Sequence, residues 1–262
     1  MTRRARRALA AGVASVLVVA VGWAVASTVL ARRSVVVVVE PGLTLREVAA
    51  QLSVDRGAPF ARSFLGDAVE LARESPYHPA GSLEGLIGPG RYVVAPSESP
   101  REVLGAMVGR FAREARTTGL SPTTTVQGLN AYQIVIAASI VQKEGYYARN
   151  MPKVARVILN RLARGGPLQM DSTVLYALGR DGGVVTHAML QTRSPYNTYL
   201  NNGLTPTPIC AVSATALSAV LHAPPGPWLY FTVVNRRGDE AFATTFAQQL
   251  ANERRLATSG VQ

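Results

Sequence analysis

In the stretch "SIVQKEGYY", Ser139 to Tyr147, an apolar run stops at a carboxylate, Glu144, with Gly145 directly behind it. Ile134, Ala137, Ala138 and Val141 recur at helical spacing, and Glu144 continues that series. The spacing predicts an acid on the buried stripe of a helix, in its last turn, with Gly145 as the residue that ends it. A helix C-terminus carries negative partial charge, and burial disfavours a carboxylate; both raise the pKa. A carboxyl group that keeps its proton near neutral pH is suited to general acid catalysis.

Beyond residue 121 the sequence holds six carboxylates: Glu144, Asp171, Asp181, Asp239, Glu240 and Glu253. Asp181 in "GRDGG" and Asp239 with Glu240 in "RRGDE" read as solvated turn residues, and Glu253 lies in a charged tail. Only Glu144 and Asp171 are embedded among apolar residues. Asp171 has an alternative role as a helix N-cap. Glu144 has one as the ion-pair partner of Arg161 or Arg164, since a buried acid is costly unless paired or used.

Glycoside hydrolysis ordinarily needs two carboxylates, and a convincing second one is missing. One acid suffices where the sugar supplies its own nucleophile, as when a muramic acid 6-hydroxyl attacks C1 to close a 1,6-anhydro ring. Other chemistries find less support. There is no G-x-S-x-G elbow. Cys210 is the single cysteine, which excludes an internal disulfide and a Cys-rich zinc site. His78, His187 and His222 are scattered without metal-ligand spacing. No cofactor and no metal are expected.

The elements that must position these residues follow from local signals. "SVVVVVEPG" reads as a strand closed by a Pro-Gly turn, and "TLREVAAQL" as a helix opened by a Thr44/Glu47 capping box. Helices are predicted in "FARSFLGDAVELA" and, capped by Ser99, in "SPREVLGAMVGRFAREA", with a short strand in "LEGLIGPGRYVVAP" between them. "RTTGLSPTTT" is a polar connector, and a boundary is placed near Ser121. The second part opens on Asn130 and Gln133 as a capping box before the helix that carries Glu144. "NMPKVARVILNRLARGG" is a helix opened by Asn150, and "PLQMDSTVLYALG" a short one capped by Asp171 or Ser172. The Pro/Asn-rich loop "RSPYNTYLNNGLTPTPI", the helix "SATALSAVLHA" and the hairpin "WLYFTVVNRRGDEAFATTF" complete the chain. Several helices and few strands make the fold class α+β.

The N-terminus carries four arginines before a run of 24 uncharged residues, 8–31, with Arg32 and Arg33 behind it. At ~1.5 Å per residue that run spans ~36 Å, enough to cross a ~30 Å hydrocarbon core. The charge bias puts the N-terminus in the cytoplasm and the bulk outside; a cleaved signal peptide ending near Ala26 is the alternative. The net charge of +11 rests almost wholly on arginine, the only lysines being Lys143 and Lys153. Such a charge fits nucleic acid, anionic lipid or an acidic glycan. No RNP-type aromatic sequence and no helix-turn-helix pattern is present, which argues against nucleic acid.

In chain order, "AASIVQKE", "KVARVILNRL", "LQMDSTVLYALG", "SPYNTY", "GLTPTPI" and "WLYFTV" resemble the YceG-like family of endolytic murein transglycosylases. Together with the "LEGLIGPGRY" segment and the LysM-like "VVVVVEPGLTLREVAAQL", the resemblance covers most of the chain. It implies a basic tail (1–7), a transmembrane helix (8–31), a LysM-like and connecting module (34–121), and a catalytic domain (122–256). It further implies a single-pass cell-membrane protein that cuts nascent peptidoglycan strands internally and leaves 1,6-anhydromuramic ends. The implied partners are glycan strands, the bilayer and cell-wall synthases.

The family's catalytic glutamate falls on Glu144. Asn160, Gln169, Asp171, Tyr196 and Asn197 fall in the matching motifs as candidate substrate-binding residues, with turns, caps and helix packing as their alternatives. Four positions depart from the family pattern. Gln142 stands for a glutamate, Asn150 for an acidic residue, Glu240 for a histidine, and "CAVS" for Asn-Pro-Gly. A water-using muramidase and a non-catalytic glycan-binding scaffold remain as competing readings.

Overall fold

A computed structural model describes residues 33–79, 81–145, 147–235 and 237–258. The expected transmembrane segment, 8–31, lies outside them. Among the described residues no helix is long and apolar enough to cross a membrane.

The five valines of β1 (Val35–Val39) are β-branched and favour a pleated backbone. They pair antiparallel with β2 (Gly90–Val94), Val35 opposite Val94 and Val39 opposite Gly90. Alternation sends Val37 and Val39 into the core and leaves Val36, Val38 and Val93 outward. Between the strands run α1 (Leu45–Arg56) and α2 (Ala58–Glu74). The Thr44/Glu47 capping box is formed, with both reciprocal hydrogen bonds. A second box, Ser99 with Glu102, opens α3 (Pro100–Thr117). Phe64 and Phe111 are the largest fully buried side chains of this core, and Tyr77 meets Phe111 edge-on at 5.5 Å.

The polar connector leads into a two-residue hairpin that propensity did not announce: β3 (Thr125–Val126) and β4 (Leu129–Asn130) around Gln127 and Gly128, both at positive φ. The Asn130/Gln133 capping box then starts α4 (Ala131–Glu144). This helix is buried on nearly every side, Val135, Ile136 and Ile140 included, and not only along the expected stripe. It lies in the middle, with α5 (Met151–Ala163), α6 (Asp171–Ala177) and α7 (Ala214–Leu221) packed against it. Ala137, Ala138 and Ser139 keep its girth small enough for that.

The predicted C-terminal hairpin is β5 (Tyr230–Val233) with β6 (Glu240–Ala243). The charged tail beyond it is a helix, α8 (Phe246–Thr258), packed on that hairpin. The described architecture is thus helix-rich α+β with small two-stranded antiparallel sheets.

The apolar core runs without a break from Val37 to Val220, across the position where a boundary was expected. Backbone hydrogen bonds join the two parts as well: Gly42 N–H donates to Ala211 O at 2.9 Å, and Ala211 N–H to Leu43 O at 2.7 Å. The buried carboxylate of Glu84 adds a third tie: it accepts from Leu45 N–H at 3.0 Å at the start of α1, and from the Tyr176 hydroxyl of the second part at 3.5 Å. Gly85 beside it sits at φ +75, and a Cβ there would come within 2.4 Å of Pro208. The loop that carries Glu84 can therefore press against "TPTPI" only with glycine at that position.

Candidate functional site

Glu144 is the last residue of α4, as the spacing predicts. Gly145 follows in an ordinary backbone conformation (φ −82), so its missing side chain serves packing and not a left-handed turn. A Cβ at 145 would meet Met151 Cγ at 2.8 Å. The close approach brings the start of α5 against the end of α4.

The alternative role of Glu144, an ion pair with Arg161 or Arg164, is not found among the described residues. Arg161 instead donates from Nε to Leu229 O at 2.7 Å and from Nη1 to Leu168 O. Its charge still reaches Glu144 and favours the carboxylate, as a weaker influence. What holds Glu144 is Ser172. The Ser172 hydroxyl donates to Glu144 Oε1 at 2.7 Å and the Ser172 backbone N–H to the same oxygen at 3.1 Å. Oε2 takes no hydrogen bond from the described residues. One oxygen is fixed and the other is left for an incoming group.

Burial pushes the Glu144 carboxyl above its ordinary range; the Ser172 bonds pull it partly back, and the nearby charge of Asp171 pushes it further up. The residue keeps some solvent contact even so. A protonatable acid at a cleft edge is the result.

The expected cap at Asp171 or Ser172 is not formed. Met170 occupies the N-cap position of α6 without a side-chain cap bond. Asp171 is exposed and accepts from the Tyr199 hydroxyl at 2.6 Å, while the Ser172 side chain is committed to Glu144. The turn before α6 is locked by the Asn-rich loop instead. Gln169 N–H donates to Thr198 O at 2.9 Å, Met170 N–H to Thr198 Oγ1 at 3.0 Å, and Thr173 shares a hydroxyl bond with Thr198 at 2.8 Å. Gln169 adopts φ +52 in this turn and leaves its side chain exposed.

The other candidates divide. Asn197 is fully buried, its amide donating to Leu190 O and Thr192 O at 2.9 and 2.8 Å. The Asn160 amide donates to Gly226 O and Trp228 O at 2.9 and 2.8 Å, which fixes the approach to β5. Both carry structural work. Tyr196 packs against Tyr176, ring centroids 4.9 Å apart and planes tilted by 54°, and lines a cavity that also touches Ser172. The structure therefore gathers Glu144, Ser172, Asp171 and Tyr199, with Tyr196 alongside.

Glu240 does not behave as a solvated turn residue. It is the first residue of β6 and half-buried, with Oε2 enclosed and without a partner among the described residues. Burial raises its pKa to about 7; the Asn150 amide opposes this and the charge of Glu144 adds to it. A hairpin residue within electrostatic reach of an acid on a distant helix leaves no local signal in a sequence; only the unusual residue type at position 240 pointed there.

Two substitutions should move the titration of Glu144 in opposite directions. Ser172→Ala removes a bond that favours the carboxylate and should raise its pKa, whereas Asp171→Asn removes a repelling charge and should lower it. Carbon-13 NMR of the Glu144 carboxyl across pH measures both. Equal titrations in the two variants and the parent would refute this account of the site.

Gln142 accepts from the Ser213 hydroxyl at 2.6 Å and ties the end of α4 to the start of α7. Asn150 donates to Gly238 O at 3.0 Å. Cys210 is buried, and burial pushes its thiol far up, which suits an inert packing residue. Among the described residues no cluster of three or more His, Cys, Asp and Glu is placed to hold a metal ion.

The YceG-like family model matches residues 14–255. The chain belongs to the YceG-like family. It is 32% identical over 167 residues to an endolytic murein transglycosylase of Bacillus subtilis, covering 63% of this chain and 46% of that protein. A protein of the same name from Streptococcus pneumoniae serotype 2 is 31% identical over 169 residues, covering 62% of this chain and 30% of the relative. The chain thus spans less than half the length of the curated relatives it matches. The fold is similar to a crystal structure of a putative yceG-like protein from Listeria monocytogenes. That match has a TM-score of 0.72 at 26% identity and covers 82% of this chain and 75% of the other.

Proposed function

We propose that this YceG-like protein is an endolytic peptidoglycan lytic transglycosylase with Glu144 as its single acid and base. The observation that carries the reading is the arrangement of the Glu144 carboxyl. It is held by Ser172 through one oxygen and raised by burial, and its other oxygen takes no hydrogen bond from the described residues. Membership of a family whose relatives carry the transglycosylase name supports it.

In the first step Glu144 gives its proton to the oxygen joining C1 of N-acetylmuramic acid to O4 of N-acetylglucosamine. The C1–O bond breaks with its electron pair leaving on that oxygen, and C1 becomes oxocarbenium-like. In the second step the Glu144 carboxylate takes the proton of the muramyl 6-hydroxyl, whose oxygen bonds to C1. The 1,6-anhydro ring closes and the acid is restored. No water is consumed.

Mass spectrometry of products from uncrosslinked strands tests this. Anhydromuramic ends are expected, and reducing muramic ends would reject it. Glu240 is the observation that favours a water-using muramidase, since a second carboxyl with a pKa of about 7 beside the acid is poised to act as a base. The same spectrum decides between them. Glycan strands bound without any product would leave the scaffold reading.

The β1-α1-α2-β2 unit is proposed as the LysM-like glycan-contacting module, and residues 8–31 as an anchor that holds the chain outside the cytoplasm. A reporter active only in the cytoplasm, fused after Gln262, should stay silent. Strong activity would overturn the orientation, and recovery of a shortened chain in the medium would show cleavage.

A further inference from the structure

A cavity of about 470 Å³ opens beside Glu144, sharing Ser172 with it. That volume lies within the ~300–1,000 Å³ usual for pockets that take a ligand. Its walls come from both parts of the chain: the start of α1 supplies Arg46 and Glu47, and the end of α6 leads to Arg180 and Asp181. The packed rings of Tyr176 and Tyr196 give it a partly apolar side.

Three cationic side chains and three carboxyl groups line this cavity, and among the described residues only one cation is matched with a carboxylate. Lys143 and Asp181 neutralise each other at 2.5 Å. Glu47 spends its carboxylate on the cap of α1, accepting from Thr44 N–H at 2.7 Å and the Thr44 hydroxyl at 2.8 Å. Glu84 is buried and turned to Leu45 N–H. Arg46 and Arg180 remain. Neither has a carboxylate partner among the described residues, and the one hydrogen bond of the Arg180 guanidinium is to Met189 Sδ at 3.7 Å.

Two arginines that line one cavity without a carboxylate partner are suited to a carboxylate ligand, which accepts two parallel N–H bonds from arginine. A neutral sugar chain gives them nothing to pair with. The substrate class of the proposed function carries its carboxylates on a short peptide attached to the lactyl group of each muramic residue. We propose that this cavity binds the acidic peptide branch of the muramic residue next to the scissile bond, with Arg46 and Arg180 as the groups that hold its carboxylates. The assignment rests on the peptidoglycan reading of the Glu144 site. Glu84 does not oppose the ligand, because burial raises it to about 7 and leaves it largely uncharged in mildly acidic conditions. Arginines on α1 and after α6 would then make substrate choice depend on the contact between the two parts of the chain.

The test uses the full chain in detergent and two substrates: glycan strands with their peptides, and the same strands stripped of peptides by an amidase. The readout is the ratio of kcat/KM for the first substrate to that for the second. Arg46→Gln and Arg180→Gln together should lower the ratio about tenfold, roughly the loss of one well-formed pair to a charged group. An unchanged ratio overturns the assignment, whether both rates stay level or fall together; a joint fall would make the cavity a site for the sugar chain. A wild-type chain that yields no product would instead count against the proposed function. In that event, binding of N-acetylmuramyl-L-Ala-γ-D-Glu to the full chain decides the cavity. Salt-sensitive binding that the two substitutions abolish supports it, and its absence overturns it.

Discussion

Glu144→Gln should lose turnover of glycan strands by about 10²–10⁴-fold, the usual worth of a positioned acid–base group. Glutamine keeps the size of the side chain, and its oxygen can still accept from Ser172 N–H and the Ser172 hydroxyl. What it lacks is the transferable proton. Folding should survive, because an amide costs less than a carboxylate in a desolvated place. The thermal midpoint measured beside the rate should therefore hold or rise.

Asp171→Asn is the companion measurement. Asparagine can still accept from the Tyr199 hydroxyl, so turnover should persist at low pH. Its alkaline limb should move to lower pH, because the charge that helps keep Glu144 protonated is gone. Near-normal turnover in Glu144→Gln with none in Asp171→Asn would transfer the acid role to Asp171. Near-normal turnover in both would leave Glu144 without a catalytic part.

The second large effect concerns stability. Glu84 is only 4% exposed, and burial raises its pKa from 4.5 to about 7 against the opposing bond from Leu45 N–H. The folded state therefore holds this proton more tightly than the unfolded chain. Stability from the protonated form is fully present below about pH 4.5 and is lost as pH rises through about 7. At 1.36 kcal/mol per pKa unit the loss is on the order of 3 kcal/mol, which at roughly 2–4 °C per kcal/mol is roughly 6–12 °C in Tm. Glu84→Gln keeps an acceptor for Leu45 N–H and removes the charge, so its thermal midpoint should fall less between pH 5 and pH 8. Glu144 and Glu240 tilt the parent curve in the same sense, so the difference between parent and variant isolates Glu84. Parallel curves would show that the carboxyl is solvated in solution and that this joint between the two parts is looser than described.

Local rules wrote much of this fold into the sequence. Three capping boxes, at Thr44, Ser99 and Asn130, set three helix starts, because a cap is satisfied within four residues of chain. The 3.6-residue spacing placed Glu144 at the inner side of a helix end, and the family's motif order made it the candidate acid. The same locality explains the misses. Asp171 reads as a cap by residue type, yet the partner that decides its role, Tyr199, arrives from a loop 28 residues on. Ser172 was legible only as a second cap candidate, while its actual partner is Glu144, also 28 residues away.

Tertiary structure alone decided the rest. It buried α4 on all sides by packing α5, α6 and α7 around it, where a single amphipathic stripe was expected. It carried Glu240 out of solvent by folding the hairpin onto the start of α5, which turned an ordinary carboxyl into one with a pKa of about 7. It also set two arginines from separate parts of the chain around one cavity. The sequence determined which groups are chemically capable and which helix presents the acid, because those depend on neighbours in the chain. Protonation, pairing and charge balance depend on desolvation and on groups brought from afar, and these exist only once the core has closed.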